Sequence, residues 1–428
     1  MKPLLQLALD FVDLPRALKV AEEAVAGGVD WLEAGTPLIK SEGLQAVREL
    51  RDRWPQLTIV ADMKTMDAGR TEVEYAAKAG AQVVGVLGAA SDATIRECIE
   101  AARNYGARII VDMVQVDDVV ARARAVEQMG ADYVGIHVAI DEQMQGKNPW
   151  ETLREVAEAV SIPVSVAGGI NSETAPSAVR AGASIVVVGG AITKAADATA
   201  AAKAIKQAME SLVPTESEYF VRATGPDIRE MLSRVSAANV SDALHRTGDI
   251  PGLHPLTPGA KLVGPAFTVR THPGDWAKPV EAIDEASPGD VLVIDAGGVP
   301  PAVWGELATN SAIQQGLAGV VIFGAARDSA DIRELGFPLF CSLVTPTAGE
   351  PKGFGEIGVP IRIAGVRVSP GDWIIADDDG VCCIPRDKAL EYTNRAMDVL
   401  ERENRLRKEI RAGSTLSQVA YLLRWEKR

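Results

Sequence analysis

The stretch Gln82-Val83-Val84-Gly85-Val86-Leu87 is followed by the amphipathic segment Ala93–Tyr105 and then by Gly106, and these three parts form one unit of a repeating pattern. A short apolar run without a polar face is typical of a strand that is buried on both faces of a parallel sheet. The segment after it has apolar residues at helical spacing, and a glycine at its end suits the left-handed residue that terminates a helix. The unit therefore predicts a strand followed by a helix.

The same unit recurs throughout residues 1–212. The apolar runs that begin its repeats are Leu4–Asp10, Trp31–Ala34, Thr58–Lys64, Gln82–Leu87, Arg108–Met113, Tyr133–His137, Pro163–Ala167 and Ile185–Gly189. Eight strand–helix repeats in a segment of this length are what a closed (β/α)8 barrel requires, whereas an open doubly wound sheet rarely has eight parallel strands in so few residues. The sequence therefore predicts an N-terminal TIM barrel within an α/β protein.

Composition limits the class of protein. The chain has 428 residues, a formal net charge of −14 and 47% hydrophobic residues, which is typical of a folded protein of two or three domains. The acidic balance argues against a sequence-independent nucleic-acid binder. No apolar run approaches the roughly 20 residues that span a bilayer, and the start Met1–Leu4 leaves no room for a signal peptide. We therefore expect a cytoplasmic enzyme that acts on small molecules, with no nucleic-acid or membrane partner.

The pattern stops near Leu212, and the polar, proline-containing segment 213–218 is predicted to be a linker. Beyond it, residues 219–428 are predicted to form a mixed α/β domain, closed by a charged and mostly solvated helix from about Asp387 to Ala412. Its predicted strands are Lys261–Arg270, Asp290–Asp295, Gly319–Phe323, Pro360–Val368 and Trp373–Ala376.

Ionisable residues stand at the carboxyl ends of the predicted barrel strands, where barrel enzymes carry their catalytic groups. They are Asp10, Glu33, Asp62 with Lys64, Asp112 and His137. One such carboxylate alone is often only a helix cap, and a lone histidine is more often a satisfied core residue than a catalyst. As a set, these residues predict an active site.

The residue types suggest separate roles. Glu33 and Asp62 lie on neighbouring strands and offer oxygen donors to a hard cation such as Mg²⁺. Lys64 shares a strand face with Asp62, so each can orient and neutralise the other. His137 is the natural proton carrier near neutral pH.

Paired glycines follow the last two predicted strands. These pairs are Gly168 with Gly169 and Gly189 with Gly190. Glycines at these positions let backbone N–H groups approach a phosphate, which many barrels bind there, although a single pair also suits an ordinary tight turn. Together the two pairs predict a phosphorylated substrate.

Four segments of the first half resemble the orotidine-monophosphate-decarboxylase superfamily of barrels. They are Leu5–Asp10, Glu33–Pro37, Asp62–Asp67 and Ala167–Ile170. Within that superfamily, residues 1–210 are most similar to the 3-hexulose-6-phosphate synthases. The features that favour the synthases over the 3-keto-L-gulonate-6-phosphate decarboxylases are Gly88–Ile95, Gly146–Trp150, Asp112 and Ala191. His137-Val138-Ala139 departs from the usual His-Thr-Gly of the family but retains the histidine.

This resemblance implies a reversible aldol addition of formaldehyde to ribulose 5-phosphate through an enediolate. It implies Mg²⁺ or Mn²⁺ on Glu33 and Asp62, with Lys64 and His137 as catalytic residues. Family members are dimers, and the resemblance implies that Asp67 acts in the partner's site.

The second half resembles the family shared by regulators of ribonuclease activity and class II 4-hydroxy-4-methyl-2-oxoglutarate aldolases, over about residues 230–415. The motifs that carry this resemblance are Ser287–Asp295, Trp304–Leu307 and Ala376–Val381. The aldolases have an Asp after the Arg, as in Arg327-Asp328, whereas the pure regulators lack it. Taken in isolation, such a dipeptide is more often a surface ion pair. The loop Thr271–Ala277 departs from the family pattern, so the substrate is not predicted.

The aldolase resemblance implies a second, pyruvoyl site. Arg327 would bind the pyruvoyl group and Asp328 would hold the metal. The backbone N–H groups that would receive the carboxylate belong to Gly305, Glu306, Leu307 and Ala308. Two alternatives stay open: a sugar-phosphate decarboxylase in the barrel, and a non-catalytic oligomerisation or regulatory module in the second domain. Since relatives of the two halves form dimers and trimers, a homo-oligomer as large as a hexamer is expected.

Overall fold

A computed structural model describes residues 2–217 and 221–419. The chain divides into two compact units, each with its own core. The first contains the described residues among 1–143, 147–221 and 401–428, and the second contains residues 144–146 and 222–400. The last residue of the predicted linker, Glu218, lies outside the described residues.

In the described part of the first unit, eight parallel strands close into a barrel in sequence order, which confirms the predicted TIM barrel. The strands are β1 (Leu4–Leu9), β2 (Trp31–Ala34), β3 (Thr58–Thr65), β4 (Val83–Leu87), β5 (Arg108–Asp112), β6 (Tyr133–His137), β7 (Val164–Ala167) and β8 (Ile185–Val188). Each coincides with a predicted apolar run to within a residue or two. Closure is made by β1 pairing in parallel with both β2 and β8.

Helices follow the barrel strands. They are α1 (Leu14–Ala26), α2 (Thr36–Glu42), α3 (Gln45–Arg53), α4 (Gly69–Lys78), α5 (Asp92–Tyr105), α6 (Val119–Met129), α7 (Ile140–Met144), α8 (Trp150–Ala159), α9 (Ala175–Arg180), α10 (Gly190–Thr193) and α11 (Ala198–Ser211). The apolar faces of these helices, except α7, and the outer faces of the strands share one hydrophobic core.

A separate apolar cluster closes the amino-terminal end of the barrel. It is formed by Trp31, Val60, Val83, Tyr133 and Ile185, most of which begin their strands. The rings of Trp31 and Tyr133 meet edge to face, with their centroids 5.6 Å apart. Because this end is filled with side chains, the opposite, carboxyl end of the strands is the one left for a site.

The second unit is a mixed α/β structure. Its strands are β9 (His254–Pro255), β10 (Leu262–Thr271), β11 (Val291–Asp295), β12 (Ala302–Trp304), β13 (Gly319–Ala326), β14 (Leu339–Val344), β15 (Gly355–Ile357), β16 (Ile361–Ile363), β17 (Val366–Val368), β18 (Trp373–Asp377) and β19 (Gly380–Ile384). The main sheet has the order β19-β18-β10-β11-β13-β14-β9, with β12 beside β13 and β15 beside β10. Strands β10, β11, β13 and β14 are mutually parallel. Strand β18 is antiparallel to β10, and β19 is antiparallel to β18.

The predicted strand Pro360–Val368 is wrong as a single element. The structure divides it into the antiparallel hairpin β16–β17. Ala364 and Gly365 separate the two strands, and both have positive φ, 46° and 88°, as a tight hairpin turn with left-handed residues requires. In the sequence, the two short strands and the turn between them look like one continuous run in which apolar residues alternate with others, so the turn was missed.

The remaining helices lie after the barrel. They are α12 (Ile228–Arg234), α13 (Ala237–Ala243), α14 (Ala277–Glu285), α15 (Glu306–Gln315), α16 (Ser329–Leu335), α17 (Ala389–Arg411) and α18 (Leu416–Val419), with a 3₁₀ turn at Arg386–Lys388. No helix within residues 2–217 and 221–419 combines the length and the apolar character that a membrane span requires.

Helix α17 differs from the sequence prediction in two respects. Its residues from Glu401 onward belong to the barrel unit, not to the second domain. Its face is also not mostly solvated, because Glu401, Arg405 and Glu409 are buried. The physical reason is pairing: the Arg405 guanidinium binds Glu23 of α1 and Glu409 one turn further along its own helix. Charge spacing alone does not show which charged residues find a partner on another element.

Candidate active site

The carboxyl ends of the barrel strands surround a cavity of about 890 Å³, a volume suited to a small metabolite. All the ionisable residues predicted at strand ends line it, namely Asp10, Glu33, Asp62, Lys64, Asp112 and His137. They meet there because the carboxyl ends of parallel strands lie at one end of a barrel. The structure therefore brings the predicted set into one site.

Asp10, Glu33 and Asp62 bring three carboxyl groups into this cavity. Burial raises the pKa of Glu33 well above its ordinary value, and the charges of Asp62 and Asp10 raise it further. Poor solvation also raises the pKa of Asp10, with the charge of Asp62 as the next cause. Gly35 makes room for this arrangement, because a Cβ there would lie 2.2 Å from Oδ1 of Asp10. Ionisation of Asp10 and Glu33 is thus disfavoured, so a cation near these carboxyl groups would be stabilising.

Lys64 connects the carboxylates to the opposite wall of the cavity. Its Nζ lies 2.9 Å from Oδ2 of Asp62 and 3.1 Å from Oδ2 of Asp112. Burial opposes the charge on Lys64, but the two carboxylates outweigh it and raise the pKa of the amine. Lys64 is therefore an ammonium group that can donate to an anionic oxygen.

Asp112 in turn orients His137. Oδ2 of Asp112 lies 3.0 Å from Nδ1 of His137, and Oδ1 accepts the N–H of Val114 at 2.9 Å. Burial opposes ionisation of Asp112, but its contacts with His137 and Lys64 lower its pKa overall. Because an ionised carboxylate only accepts hydrogen bonds, Nδ1 carries the proton and Nε2 is the nitrogen left to exchange one.

The two glycine pairs after β7 and β8 line the same cavity. Gly168 and Gly169 have φ of +121° and +68°, so a side chain would strain the backbone at both positions. Gly189 has a φ of −107°, and Gly190 begins α10 with no positive φ. Backbone geometry thus requires glycine at the first pair only. Binding of phosphate by these residues stays a prediction.

Asp67 lies outside the cavity lining. Its exposed carboxylate accepts the N–H of Ala68 at 2.7 Å, just beyond the end of β3. The predicted role of Asp67 in a partner's site stays a prediction.

The cavity also has polar side chains that the sequence analysis missed. These are Gln6, Thr36, Lys40, Gln143, Ser165, Thr193 and Lys194. Strand periodicity was the signal that could have found Gln6, which lies on the same face of β1 as Ala8. Thr36 begins α2, and its Oγ1 donates to Oδ2 of Asp62 at 2.7 Å. Lys40 and Lys194 lie beyond the strand ends, where no strand pattern marks them.

The two carboxylates predicted to hold a cation, Glu33 and Asp62, lie in this cavity together with the amide oxygen of Gln6. The Nε2 group of Gln6 donates to Oε2 of Glu33, while Oε1 of Gln6 is buried with no hydrogen-bond partner among the described residues. Among the residues that the structure describes, no group of three or more His, Cys, Asp or Glu side chains is placed so that it could hold a metal ion by itself. Mg²⁺ is commonly held by one or two carboxylates and completed by water and substrate oxygens. The donor set therefore fits Mg²⁺ or Mn²⁺.

The predicted pyruvoyl residues of the second unit lie together where β13 ends and α15 begins. Oδ2 of Asp328 lies 3.4 Å from Nε of Arg327 and accepts the N–H of Glu306 at 3.1 Å. Gly305 permits this approach, since a Cβ there would lie 2.5 Å from Oδ2 of Asp328. The N–H of Glu306, which was predicted to receive the substrate carboxylate, thus donates to Asp328 instead. Leu307, which is 80% exposed, and Ala308 belong to the first turn of α15, whose N–H groups have no acceptor within the helix.

A cavity of about 550 Å³ lies elsewhere in the second unit, and neither Arg327 nor Asp328 lines it. Asp275, which is 2% exposed, is part of its wall. Burial opposes ionisation of Asp275, but bonds from backbone N–H groups, including those of Lys352 and Phe354, lower its pKa. Asp275 thus serves to fasten the loop that precedes β15, which accounts for part of the unusual Thr271–Ala277 segment.

Comparison with known proteins gives two family matches. Residues 3–205 match the family described as orotidine 5'-phosphate decarboxylase / HUMPS. The 3-hexulose-6-phosphate synthase of Bacillus subtilis (strain 168) is 42% identical over 204 residues, which are 47% of this chain and 97% of that protein. The crystal structure of 3-hexulose-6-phosphate synthase from Salmonella typhimurium has 38% identity and a TM-score of 0.48, and it covers 50% of this chain and 100% of that one.

Residues 237–383 match the family described as RraA-like, Aldolase/RraA. The structure of the RNA-processing inhibitor RraA from Thermus thermophilis has 31% identity and a TM-score of 0.33, and it covers 35% of this chain and 91% of that one. By the family match, residues 237–383 of the second unit form an RraA-like domain.

Proposed function

The chain belongs to the orotidine 5'-phosphate decarboxylase / HUMPS family, and from this premise we propose that its barrel is a carbon–carbon lyase of the 3-hexulose-6-phosphate synthase type. The reaction is the reversible aldol addition of formaldehyde to ribulose 5-phosphate. The observation that supports it best is the continuous series of contacts from Asp62 through Lys64 and Asp112 to His137. This series places the ammonium group of Lys64, the oriented imidazole of His137 and two carboxylates within one cavity.

The chemistry begins with loss of a proton from C1 of ribulose 5-phosphate, next to the ketone. Nε2 of His137 takes that proton, since Asp112 holds the proton on Nδ1. The electron pair of the broken C–H bond moves into the enediolate, whose negative oxygen receives a hydrogen bond from Lys64. C1 then forms a bond to the carbon of formaldehyde, and the aldehyde oxygen takes up the proton. Atoms balance without any redox partner.

Mg²⁺ would be held by Glu33 and Asp62, with Oε1 of Gln6 beside them. When bound, it supplies a Lewis acid that polarises the ketose oxygens. Its positive charge would offset the burial, and the repulsion by Asp62, that raise the pKa values of Asp10 and Glu33. The glycine pairs 168–169 and 189–190 are proposed to receive the substrate phosphate through backbone N–H groups.

We expect the purified full chain to consume formaldehyde only in the presence of both ribulose 5-phosphate and Mg²⁺ or Mn²⁺. Excess chelator should abolish the rate, and added Mg²⁺ should restore it. Formaldehyde consumption that continues in excess chelator would contradict the role of the metal, while leaving the aldol reaction itself intact.

We propose that the chain acts as a homo-oligomer, as large as a hexamer, in which Asp67 enters a neighbour's cavity. The exposed position of Asp67 just after β3 supports this proposal, because the carboxylate is available to another subunit.

A second candidate function belongs to the RraA-like domain. We propose that Arg327 and Asp328 form a metal-dependent site for a pyruvoyl compound, supported by the approach of Asp328 to the first turn of α15. Arg327 has its side chain 42% exposed and can bind a carboxylate through two N–H groups. The alternative is a non-catalytic regulatory module.

The full chain with Mg²⁺ or Mn²⁺ should decarboxylate oxaloacetate, and Asp328→Asn should abolish this activity while leaving formaldehyde consumption unchanged. The matched control is Asp331→Asn, three residues further along in α16. Absence of metal-dependent lyase activity on any pyruvoyl compound would favour the regulatory module.

A further inference from the structure

The loop that follows β8 forms one wall of the barrel cavity. Gly189, Gly190, Ala191, Thr193 and Lys194 line the cavity in succession. Ala195 and Ala196 come next, before α11 begins at Ala198. We refer to residues 189–196 as the β8 loop. Since Ala195 is fully buried and lies between two helices, its carbonyl needs a hydrogen-bond donor from elsewhere in the protein.

Arg405 of α17 supplies that donor. Its Nη1 lies 3.1 Å from the carbonyl oxygen of Ala195 and 3.4 Å from that of Ala196. The neighbouring Lys408 also donates from Nζ to the carbonyl of Ala196. Two cationic side chains of one helix therefore bind the end of the β8 loop.

The Arg405 guanidinium is itself held rigidly. Its Nη1 and Nη2 both donate to the carboxylate of Glu23, each at 2.9 Å, and its Nε donates to Oε1 of Glu409 at 2.8 Å. Arg405 is only 2% exposed, so the guanidinium itself is shielded from water, which strengthens these charge-assisted bonds. Glu23 lies in α1, whose backbone is also bound to the start of α11 by Thr199. The β8 loop is thus fastened to α1 through Arg405.

This contact is an addition to the barrel. The Bacillus subtilis synthase is matched over almost its whole length within the first half of this chain, so it has little chain left for a counterpart of residues 401–411. If the charged face of α17 were only a solvated surface, Arg405 and Glu409 would not be buried. If the helix only packed against the barrel, Arg405 and Lys408 would not both donate to carbonyl groups of successive residues in the β8 loop.

We infer that the end of α17 is a positioning element for the barrel site, in which Arg405 and Lys408 fix the β8 loop and thereby the substrate-phosphate subsite. This inference rests on the proposed function for the identity of the substrate. The reacting groups Lys64, Asp112 and His137 lie on other strands, β3, β5 and β6. Loss of the contact should therefore weaken substrate binding more than it slows the chemical step.

The test uses full-length Arg405→Met, with Arg407→Met as the matched control. Arg407 is an exposed residue of the same helix, and its partners among the described residues are Glu403 and Asn404. For Arg405→Met we expect KM for ribulose 5-phosphate to rise roughly 10-fold, with kcat changed less than about 3-fold. The control should match the wild type in both constants.

Amide hydrogen exchange provides a readout that does not depend on activity. Peptides covering residues 189–197 should exchange faster in Arg405→Met than in wild type, and peptides from β3 and β6 should not change. Lys408→Met removes an exposed donor and should give a smaller effect in the same direction. It also keeps the test valid if Arg405→Met fails to fold.

Unchanged exchange in the β8 loop and unchanged KM in the folded variants would overturn the inference. If the wild type shows no synthase activity, the proposed function fails. In that case, exchange in the β8 loop, together with calorimetric binding of ribulose 5-phosphate to each variant, still decides whether the helix positions the loop.

Discussion

Replacing Asp62 with Asn should lower the rate of formaldehyde fixation at least on the order of 10³-fold. Asp62 contacts Lys64 and Thr36, and its charge is a cause of the raised pKa values of both Asp10 and Glu33. Asn keeps the side-chain volume but removes the anionic oxygen that we assign to the cation, and such charge stabilisation is worth several kcal/mol. At 1.36 kcal/mol for each factor of ten, about 4 kcal/mol corresponds to this loss.

The same substitution should leave the fold intact or make it more stable. Because Asp62 disfavours ionisation of two neighbouring carboxyl groups, its removal relieves repulsion in the metal-free protein. We therefore expect the melting temperature of Asp62→Asn without metal to equal or exceed that of wild type. Asp52→Asn, an exposed change in α3, is the matched control and should have no effect on rate. An Asp62→Asn enzyme with near wild-type kcat would exclude Asp62 as a catalytic or metal-binding residue.

Replacing His137 with Asn should lower kcat by about 10² to 10⁴-fold, the usual range for loss of a general acid–base group. Asn has no group that exchanges protons near neutral pH, although it can still accept or donate a hydrogen bond to Asp112. KM for ribulose 5-phosphate should change little, since the phosphate and metal ligands that we propose are untouched. Steady-state kinetics separate these two effects.

His254→Asn provides the histidine control, because His254 is an exposed residue of the RraA-like domain. It should leave kcat and KM unchanged. If His137→Asn costs less than about 3-fold in kcat, His137 is a structural partner of Asp112 and another group moves the proton.

The sequence was sufficient to predict the barrel because its strands are short apolar runs at regular spacing. Runs such as Trp31–Ala34 and Tyr133–His137 coincide with strands at both ends. In the RraA-like domain, some of the strands that were missed are very short, as with His254–Pro255 and Ala302–Trp304, but the longer strands Leu339–Val344 and Gly380–Ile384 were missed as well. Two or three residues are too few to show an alternating pattern.

That the candidate catalytic residues line one cavity was predictable from their positions at strand ends, but their contacts were not. That Lys64 reaches Asp112 as well as Asp62 depends on the curvature of the barrel, which brings β3 and β5 within reach across β4. Arg405 illustrates the other limit. Its i,i+4 partner Glu409 was visible in the sequence, whereas Glu23 lies 382 positions away and only the fold brings it close.

Incubation of the full chain with ¹³C-formaldehyde, ribulose 5-phosphate and Mg²⁺, followed by ¹³C NMR, distinguishes a synthase from a sugar-phosphate decarboxylase. We predict that the formaldehyde signal decays as label appears in a hydroxymethyl carbon bonded to carbon in a hexulose phosphate, and that Asp62→Asn produces none of this signal. An unchanged formaldehyde signal from a protein that releases CO₂ from 3-keto-L-gulonate 6-phosphate would contradict the synthase assignment.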